Sequence, residues 1–157
     1  MKPLLCVRHE PEDDGGLALE TFETAGLQVE TADAWNGTAL PDVGAIAGLV
    51  VFGGTMNVDQ VDRYPFLSSE RVLVGQALEA NLPVLGVCLG AQMLARALGE
   101  PVELAPERML GFTPVHPTEA GRADPLASVF EDGAMTAPGA SSSTPRSPVT
   151  RSVDGSR

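Results

Sequence analysis

The residue with the clearest chemistry in this chain is Cys88, which lies between two glycines in the run Gly86-Val87-Cys88-Leu89-Gly90. A cysteine thiolate is a strong nucleophile toward acyl groups. The G-x-C-x-G spacing is typical of a nucleophile elbow, in which a strand turns directly into a helix and exposes the apex side chain. The residues two before and two after the apex press together in such a turn, so glycines are expected there. The pattern therefore predicts an exposed thiol on a strained backbone, beside a helix N-terminus that favours the thiolate.

The segments on either side of Cys88 fit this interpretation. Pro83 to Leu85 reads as a short apolar strand. A helix is predicted after the turn, with a core-facing stripe at the spacing i, i+3, i+4, i+7, and Gly99 as its stop signal; the stripe consists of Ala91, Leu94, Ala95 and Leu98. The alternative is a buried, inert cysteine in an ordinary turn. The agreement of strand, turn and helix favours the nucleophile.

A cysteine nucleophile that acts on acyl substrates needs a base, a group that orients the base, and donors for the developing oxyanion. The backbone N–H of Leu89, the first residue after the nucleophile, is one predicted oxyanion donor. The second is expected from Gly53-Gly54, which follows the apolar strand Ile46 to Phe52. Two successive glycines let the backbone approach a ligand closely.

Strands and helices alternate along the chain, which predicts an α/β fold with an open, mostly parallel sheet and helices on both faces. In such sheets the functional site lies at the carboxyl ends of the strands. That edge would bring together His9, Gly53, Gly54 and Cys88. The other predicted strands are Leu4 to Val7, Leu27 to Thr31, Val102 to Leu104 and Gly111 to Val115, and the other predicted helices are Leu17 to Ala25 and one capped by Ser68 or Ser69 that reaches Ala80.

Composition limits the classes of function. The 157 residues carry a net charge of −11 and are 43% hydrophobic, which indicates a globular protein and argues against nucleic-acid binding. Two cysteines do not suggest a disulfide framework, and no apolar run is long enough for a signal peptide or a membrane span. We therefore expect a cytoplasmic protein that binds neither nucleic acid nor membrane.

The composition changes near residue 131, where the chain becomes rich in serine, threonine, proline and glycine. Such a segment buries too little apolar surface to offset its ordering entropy. We predict a folded domain over residues 1–130 and a disordered tail over residues 131–157. An alternative is that the tail is an out-of-frame translation product.

Three segments together resemble class I, triad-type glutamine amidotransferases, most closely the glutaminase domains described as GMP-synthase-like: Leu49 to Gly54 with Arg63-Tyr64-Pro65, Pro83 to Gln92, and Leu94 to Gly99. The resemblance implies a flavodoxin-like three-layer fold. It also implies that Cys88 attacks the side-chain amide of glutamine, which releases ammonia and leaves a thioester. Gln92 would help to hold the glutamine, and Gly53 and Gly54 would form the oxyanion loop. No cofactor or metal is implied, and a separate enzyme would accept the ammonia.

The chain departs from this family in its later part. The family carries its catalytic histidine and glutamate in an H-P-x-E-like motif on a strand near the C-terminus. This chain has two histidines. For His9 a structural or substrate-loop role is expected, and His116-Pro117-Thr118-Glu119 imitates the motif only 28 residues after Cys88. His116 and Glu119 are therefore weak candidates for the triad. We expect a chain that is truncated or frameshifted before the true motif, lacks the C-terminal strands, and has little or no activity.

Two other interpretations stay open. The chain is a non-catalytic remnant or a binding module that keeps the fold, or it is a different cysteine enzyme on a similar sheet, such as a DJ-1-like protein. The latter usually needs an acid from an early strand end near the cysteine, for which Glu10 and Glu12 are candidates. Gln92 and the Leu-Gly-Ala turn favour the amidotransferase.

Overall fold

A computed structural model describes residues 1–103, 113–124 and 134–136 of the chain. The chain divides into two compact units, Met1–Glu100 and Pro101–Arg157. Each unit is described by itself below.

Strands and helices alternate in the first unit, as the sequence predicts. The strands are β1 (Leu4–Arg8), β2 (Val29–Asp33), β3 (Gly48–Val51) and β4 (Val84–Gly86), and the helices are α1 (Gly16–Thr24), α2 (Phe66–Glu79) and α3 (Leu89–Ala97). Two short 3-10 turns, Ala34–Asn36 and Val43–Ala45, lie between β2 and β3. The first of them contains Trp35.

The four strands form one parallel sheet in the order β2-β1-β3-β4. The chain moves outward from β1 to β2 and in the opposite direction from β3 to β4. Because crossover connections between parallel strands are right-handed, α1 and α2 must lie on opposite faces of the sheet. Helix α1 packs its Leu19 and Phe22 against Cys6, Val50 and Phe52 on one face. The predicted three-layer arrangement, with the buried central strands β1 and β3 as its core, is confirmed.

The ends of the helices follow local rules. Gly99 adopts φ 81° just after α3, and the Glu100 N–H donates to the Ala95 carbonyl at 2.8 Å. This is the expected glycine stop, which needs a left-handed residue. Asn81 does the same after α2, with φ 54°.

The predicted start of α2 is wrong. Ser68 and Ser69 lie inside the helix, and Pro65 occupies the N-cap with φ −58° and no side-chain cap. The proline ring already holds the backbone near helical values, so the helix begins three or four residues earlier than a cap at Ser68 or Ser69 would place it.

The buried face of α3 also differs from the predicted stripe. Leu94 and Ala95 are buried as expected, but Leu98 is exposed, and Leu89 and Met93 are among the most buried side chains. Helix α3 packs against β3, β4 and α2, so nearly all of its first two turns is covered rather than one stripe.

The described residues of the second unit form β5 (Thr113–Val115), α4 (Glu119–Ala123) and β6 (Ala134–Thr136). Strands β5 and β6 pair antiparallel in a two-stranded sheet. Of the strand predicted at Val102 to Leu104, Val102 and Glu103 are not in a strand and Leu104 lies outside the described residues. Strand β6 lies within the segment predicted to be disordered. The remaining tail and the domain boundary at residue 130 lie outside the described residues and stay predictions.

Within the described ranges, none of the helices has both the length and the apolar character needed to cross a membrane.

Candidate active site

The residues that follow three neighbouring strands meet at one edge of the sheet. His9 follows β1, Gly53 follows β3, and Cys88 follows β4. Because the chain runs outward in opposite directions from β1 and β3, a crevice is expected at the carboxyl ends near these strands, where ligands bind in doubly wound folds. The sheet topology therefore places His9, Gly53 and Cys88 at the same edge, where the sequence predicts them.

Cys88 has the backbone of a strained apex. Its φ and ψ are 53° and −106°, an arrangement that L-residues rarely adopt, and it occupies the N-cap position of α3. Its side chain is exposed, whereas the Cys6 side chain is buried on β1. Burial raises the pKa of the Cys6 thiol to about 11, which keeps it protonated at neutral pH. Of the two cysteines, Cys88 is therefore the one placed to react.

Gly86 and Gly90 of the elbow leave no room for a Cβ atom. A Cβ on Gly86 would lie 2.5 Å from the carbonyl carbon and oxygen of Gly90. A Cβ on Gly90 would lie 2.0 Å from the carbonyl oxygen of Val51. The crowding predicted between the residues two before and two after the apex is therefore present, and it is crowding against backbone, which cannot rotate aside.

The backbone N–H groups near Cys88 differ in whether they have a described acceptor. The Gly90 N–H donates to the carbonyls of Phe52 and Val87, at 3.2 and 2.9 Å. The N–H groups of Leu89 and Gly54 have no acceptor in the part of the chain that the structure describes. The Leu89 side chain is buried, and a Cβ on Gly54 would lie 3.0 Å from its Cδ2. A Cβ on Gly53 would lie 3.5 Å from the Cys88 Cβ. The glycine pair and the start of α3 thus lie against Cys88.

A buried pair, His9 and Glu70, contacts the Gly53–Gly54 loop through a hydrogen bond from His9. His9 Nδ1 lies 2.7 Å from the Gly53 carbonyl oxygen, and His9 Nε2 lies 2.9 Å from Glu70 Oε2. Both residues are only 1% exposed. Burial acts to lower the pKa of His9, but the hydrogen bond and the charge of Glu70, helped by the Gly53 carbonyl and Asp13, raise it above the ordinary 6.5. His9 is thus engaged through both ring nitrogens, with Gly53 and with Glu70.

Glu10, the residue after His9, holds the next residue of the same loop. One of its carboxylate oxygens accepts the Thr55 N–H at 3.0 Å and also contacts the Thr55 hydroxyl. Glu12 is exposed. Neither acid has a described contact with Cys88, so the carboxylate–cysteine arrangement of the DJ-1-like alternative finds no support in the described contacts.

Gln92, one turn after Cys88, lies inside the protein rather than on an exposed helix face. Its side chain is 3% exposed, and its Oε1 has no hydrogen-bond partner in the described part of the chain. Its N–H donates to the Cys88 carbonyl at 3.2 Å. A buried amide oxygen without a partner is costly, so a ligand that donates a hydrogen bond here would relieve this cost.

The second unit contains His116 and Glu119. His116 is exposed and follows β5, and Glu119 is the first residue of α4. The Thr118 hydroxyl accepts the Gly121 N–H at 3.0 Å and so caps α4. The His-Pro-Thr-Glu run therefore has a local structural explanation, as the N-terminus of a short helix.

Sequence reasoning missed Glu70. A signal for it exists in the periodicity of α2, since Leu67, Glu70, Val74 and Ala77 fall on one buried face. A carboxylate on the apolar stripe of a helix must find a buried partner, and His9 is that partner. Among the described residues, no group of three or more His, Cys, Asp and Glu side chains is arranged to hold a metal ion.

Comparison with known proteins gives consistent matches. Residues 19–132 match the glutamine amidotransferase class-I family. The chain is 35% identical over 128 residues to the glutamine amidotransferase-like protein YfeJ of Salmonella typhimurium, a match that covers 79% of this chain and 54% of YfeJ. It is 38% identical over 86 residues to the glutamine-hydrolysing GMP synthase of Alkalilimnicola ehrlichii, covering 52% of this chain and 14% of that enzyme.

A solved structure agrees with these matches. The glutamine amidotransferase of Thermotoga maritima superposes with a TM-score of 0.69 and 26% sequence identity, over 87% of this chain and 63% of that protein. This similarity confirms the flavodoxin-like, three-layer fold expected from the sequence. The chain spans about half the length of YfeJ and a smaller part of the GMP synthase.

Proposed function

Because the chain belongs to the class-I glutamine amidotransferase family, we propose that Cys88 attacks the side-chain amide of glutamine. The attack would form a tetrahedral oxyanion, expel ammonia and leave a γ-glutamyl thioester on the sulfur. Water would then hydrolyse the thioester to glutamate. The observation that supports this most directly is the exposed Cys88 on its strained elbow, beside the Leu89 and Gly54 N–H groups, which have no acceptor among the described residues.

Gln92 is the proposed contact for the substrate. Its buried Oε1, which has no partner among the described residues, is an acceptor that a substrate N–H could satisfy. The Leu89 N–H and the Gly53–Gly54 loop are the proposed oxyanion donors, a class of interaction whose loss reduces catalysis by about 10²–10³-fold. The ammonia would pass to a separate accepting enzyme, and no cofactor is needed.

We propose further that this chain by itself turns over glutamine poorly. His9 is engaged by Gly53 and Glu70. The other histidine of the sequence is His116, and Thr118 and Glu119 beside it begin helix α4. A base is needed to protonate the departing ammonia and to activate water, a contribution of about 10²–10⁴-fold. These contacts also favour the second candidate function, a binding module that holds glutamine without efficient hydrolysis.

The test is ammonia release from glutamine, run beside mass spectrometry of the acid-quenched protein to detect a glutamyl thioester. We expect slow release and a mass gain that Cys88→Ala abolishes. Cys6→Ala is the matched control, since it removes the buried cysteine and should leave both signals unchanged. The absence of both thioester and ammonia in the wild-type chain would contradict the glutaminase proposal.

The His116→Ala variant decides between the two candidate functions. A wild-type rate far above background that disappears in both Cys88→Ala and His116→Ala would identify His116 as the base and exclude the binding module. A slow wild-type rate that His116→Ala leaves unchanged would support the binding module.

A further inference from the structure

We propose that the buried His9–Glu70 pair is a positioning device that holds the Gly53–Gly54 peptide with its N–H directed for oxyanion binding. This inference rests on the proposed function, because it concerns the oxyanion formed at Cys88. The device connects three elements: His9 follows β1, the glycines follow β3, and Glu70 lies on α2.

The first step of the argument is the direction of the hydrogen bond to Gly53. A carbonyl oxygen only accepts, so the proton of the 2.7 Å contact must reside on His9 Nδ1. Among the described residues no peptide bond is cis. In a trans peptide the C=O of one residue and the N–H of the next point in opposite directions. A histidine that fixes the Gly53 oxygen therefore fixes the Gly54 N–H on the other side of the same peptide plane.

The second step is that the orientation of the Gly53–Gly54 peptide must be fixed by residues outside the glycine pair. Glycine samples backbone conformations that other residues avoid, so a glycine pair has little preference of its own for one peptide orientation. If this peptide turned over, it would present the Gly53 oxygen, a repulsive partner, where the N–H is needed. Gly54 has no side chain that could supply rigidity, and a Cβ there would lie only 3.1 Å from His9 Cβ. The hold must come from neighbouring residues, and His9 and Glu10 supply it at Gly53 and Thr55.

The third step concerns Glu70, which fixes the histidine. Its Oε2 lies 2.9 Å from His9 Nε2, so the ring is fixed at both nitrogens and cannot flip without losing two hydrogen bonds. Burying such a pair is at best weakly favourable for stability, since both groups lose hydration. The second carboxylate oxygen of Glu70, Oε1, has no hydrogen-bond partner in the described part of the chain. A pair of this kind, at 1% exposure and behind a catalytic loop, is better explained by orientation than by stability.

The test compares two reagents on Cys88. The chloroketone analogue of glutamine, in which a chloromethyl ketone replaces the side-chain amide, forms an S–C bond as chloride leaves, and its ketone oxygen occupies the oxyanion position during attack. Iodoacetamide alkylates the same sulfur by displacing iodide and does not need the oxyanion site. The ratio of the two rate constants reports the oxyanion donors separately from the reactivity of the thiol.

Variants are compared in a Glu70→Gln background, which keeps a hydrogen-bond partner for His9 Nε2 and removes the buried charge. In that background, His9→Asn keeps a donor near the position of Nδ1, whereas His9→Gln moves the donor toward the position of Nε2. We expect the maximal chloroketone rate to fall by about a hundredfold in the His9→Gln double variant. The half-saturating chloroketone concentration and the iodoacetamide rate should stay unchanged, and His9→Asn should restore most of the lost rate.

Equal losses in the His9→Asn and His9→Gln double variants, or no loss in either, would overturn the positioning role. Parallel losses of the chloroketone and iodoacetamide rates would also overturn it, since they indicate a general change of fold. A wild-type chain whose rate ratio does not exceed that of free cysteine would refute the proposed function first, and this inference with it. The two failures are therefore distinguishable.

Discussion

Replacing Gly90 by alanine should destabilise the first unit by about 2 kcal/mol, although the same change in most helices is favourable. The added Cβ would lie 2.0 Å from the Val51 carbonyl oxygen and 2.9 Å from the Val51 Cβ. Val51 belongs to a central strand and accepts the Val87 N–H at 2.9 Å. Neither partner is a flexible side-chain end, so α3 and β3 must separate.

The magnitude combines three contributions. Overpacking of a core typically costs about 1–3 kcal/mol, and weakening the Val87 to Val51 hydrogen bond costs about 1 kcal/mol. Alanine recovers up to about 1 kcal/mol relative to glycine inside a helix. The net effect is a loss of about 2 kcal/mol.

Gly75→Ala is the matched control. Gly75 lies in α2, and a Cβ there would have nothing within 4 Å. Only the propensity contribution remains, so this variant should be more stable than wild type by about 0.5–1 kcal/mol. The two substitutions are chemically identical and are predicted to act in opposite directions.

Urea unfolding followed by tryptophan fluorescence is the assay. Trp35 is the only tryptophan of the chain and lies in the first unit, with the Arg8 guanidinium 5.6 Å from its ring centre. The urea concentration at the unfolding midpoint should fall for Gly90→Ala and rise for Gly75→Ala. The slope of the unfolding free energy against urea concentration should stay constant. A Gly90→Ala variant as stable as wild type, at unchanged urea dependence, would refute the crowding argument at the elbow.

Two further predictions concern the titratable groups. The raised pKa of His9 means that His9 binds its proton more tightly in the folded chain than in the unfolded chain. The resulting stabilisation of the fold is therefore complete below pH 6.5, and it is lost as the pH rises through the pKa of His9 in the folded chain. Unfolding free energies measured across this range should fall with pH by at most about 1.4 kcal/mol per pH unit, and Glu70→Gln should flatten the dependence; a wild-type profile that rises with pH would contradict the assignment. Mild iodoacetamide treatment with peptide mapping should label Cys88 and spare Cys6, whose thiol is buried with a pKa of about 11, and equal labelling in the native protein would contradict the elbow geometry.

The sequence was sufficient to predict features that depend on neighbouring residues. The contact between Gly86 and Gly90 in the elbow joins residues four positions apart, and the glycine stop at Gly99 depends on one backbone angle. The parallel sheet followed from the alternation of strands and helices. The glutamine amidotransferase family, expected from the elbow and the glycine loop, is confirmed by the family match.

Features set by tertiary contacts were not predictable in the same way. Glu70 lies 61 residues from His9, and no local pattern links them. The burial of Met93 and Gln92 depends on which elements surround α3. The start of α2 was wrong for a different reason: Ser68 and Ser69 are good caps, but Pro65 precedes them and sets the helical backbone first.

The long-range contacts of the Gly53–Gly54 loop have a consequence for the order of events during refolding. His9 is separated from Gly53 by 44 positions and from Glu70 by 61, whereas Gly86 and Gly90 of the elbow are four positions apart. Contacts between distant segments form late, because the loop between them must close first. A refolding chain would therefore expose the Cys88 thiol before the proposed oxyanion donor at Gly54 is held in place. During that interval Cys88 would react with any electrophile, and the proposed preference for an amide substrate would appear only when α2 docks.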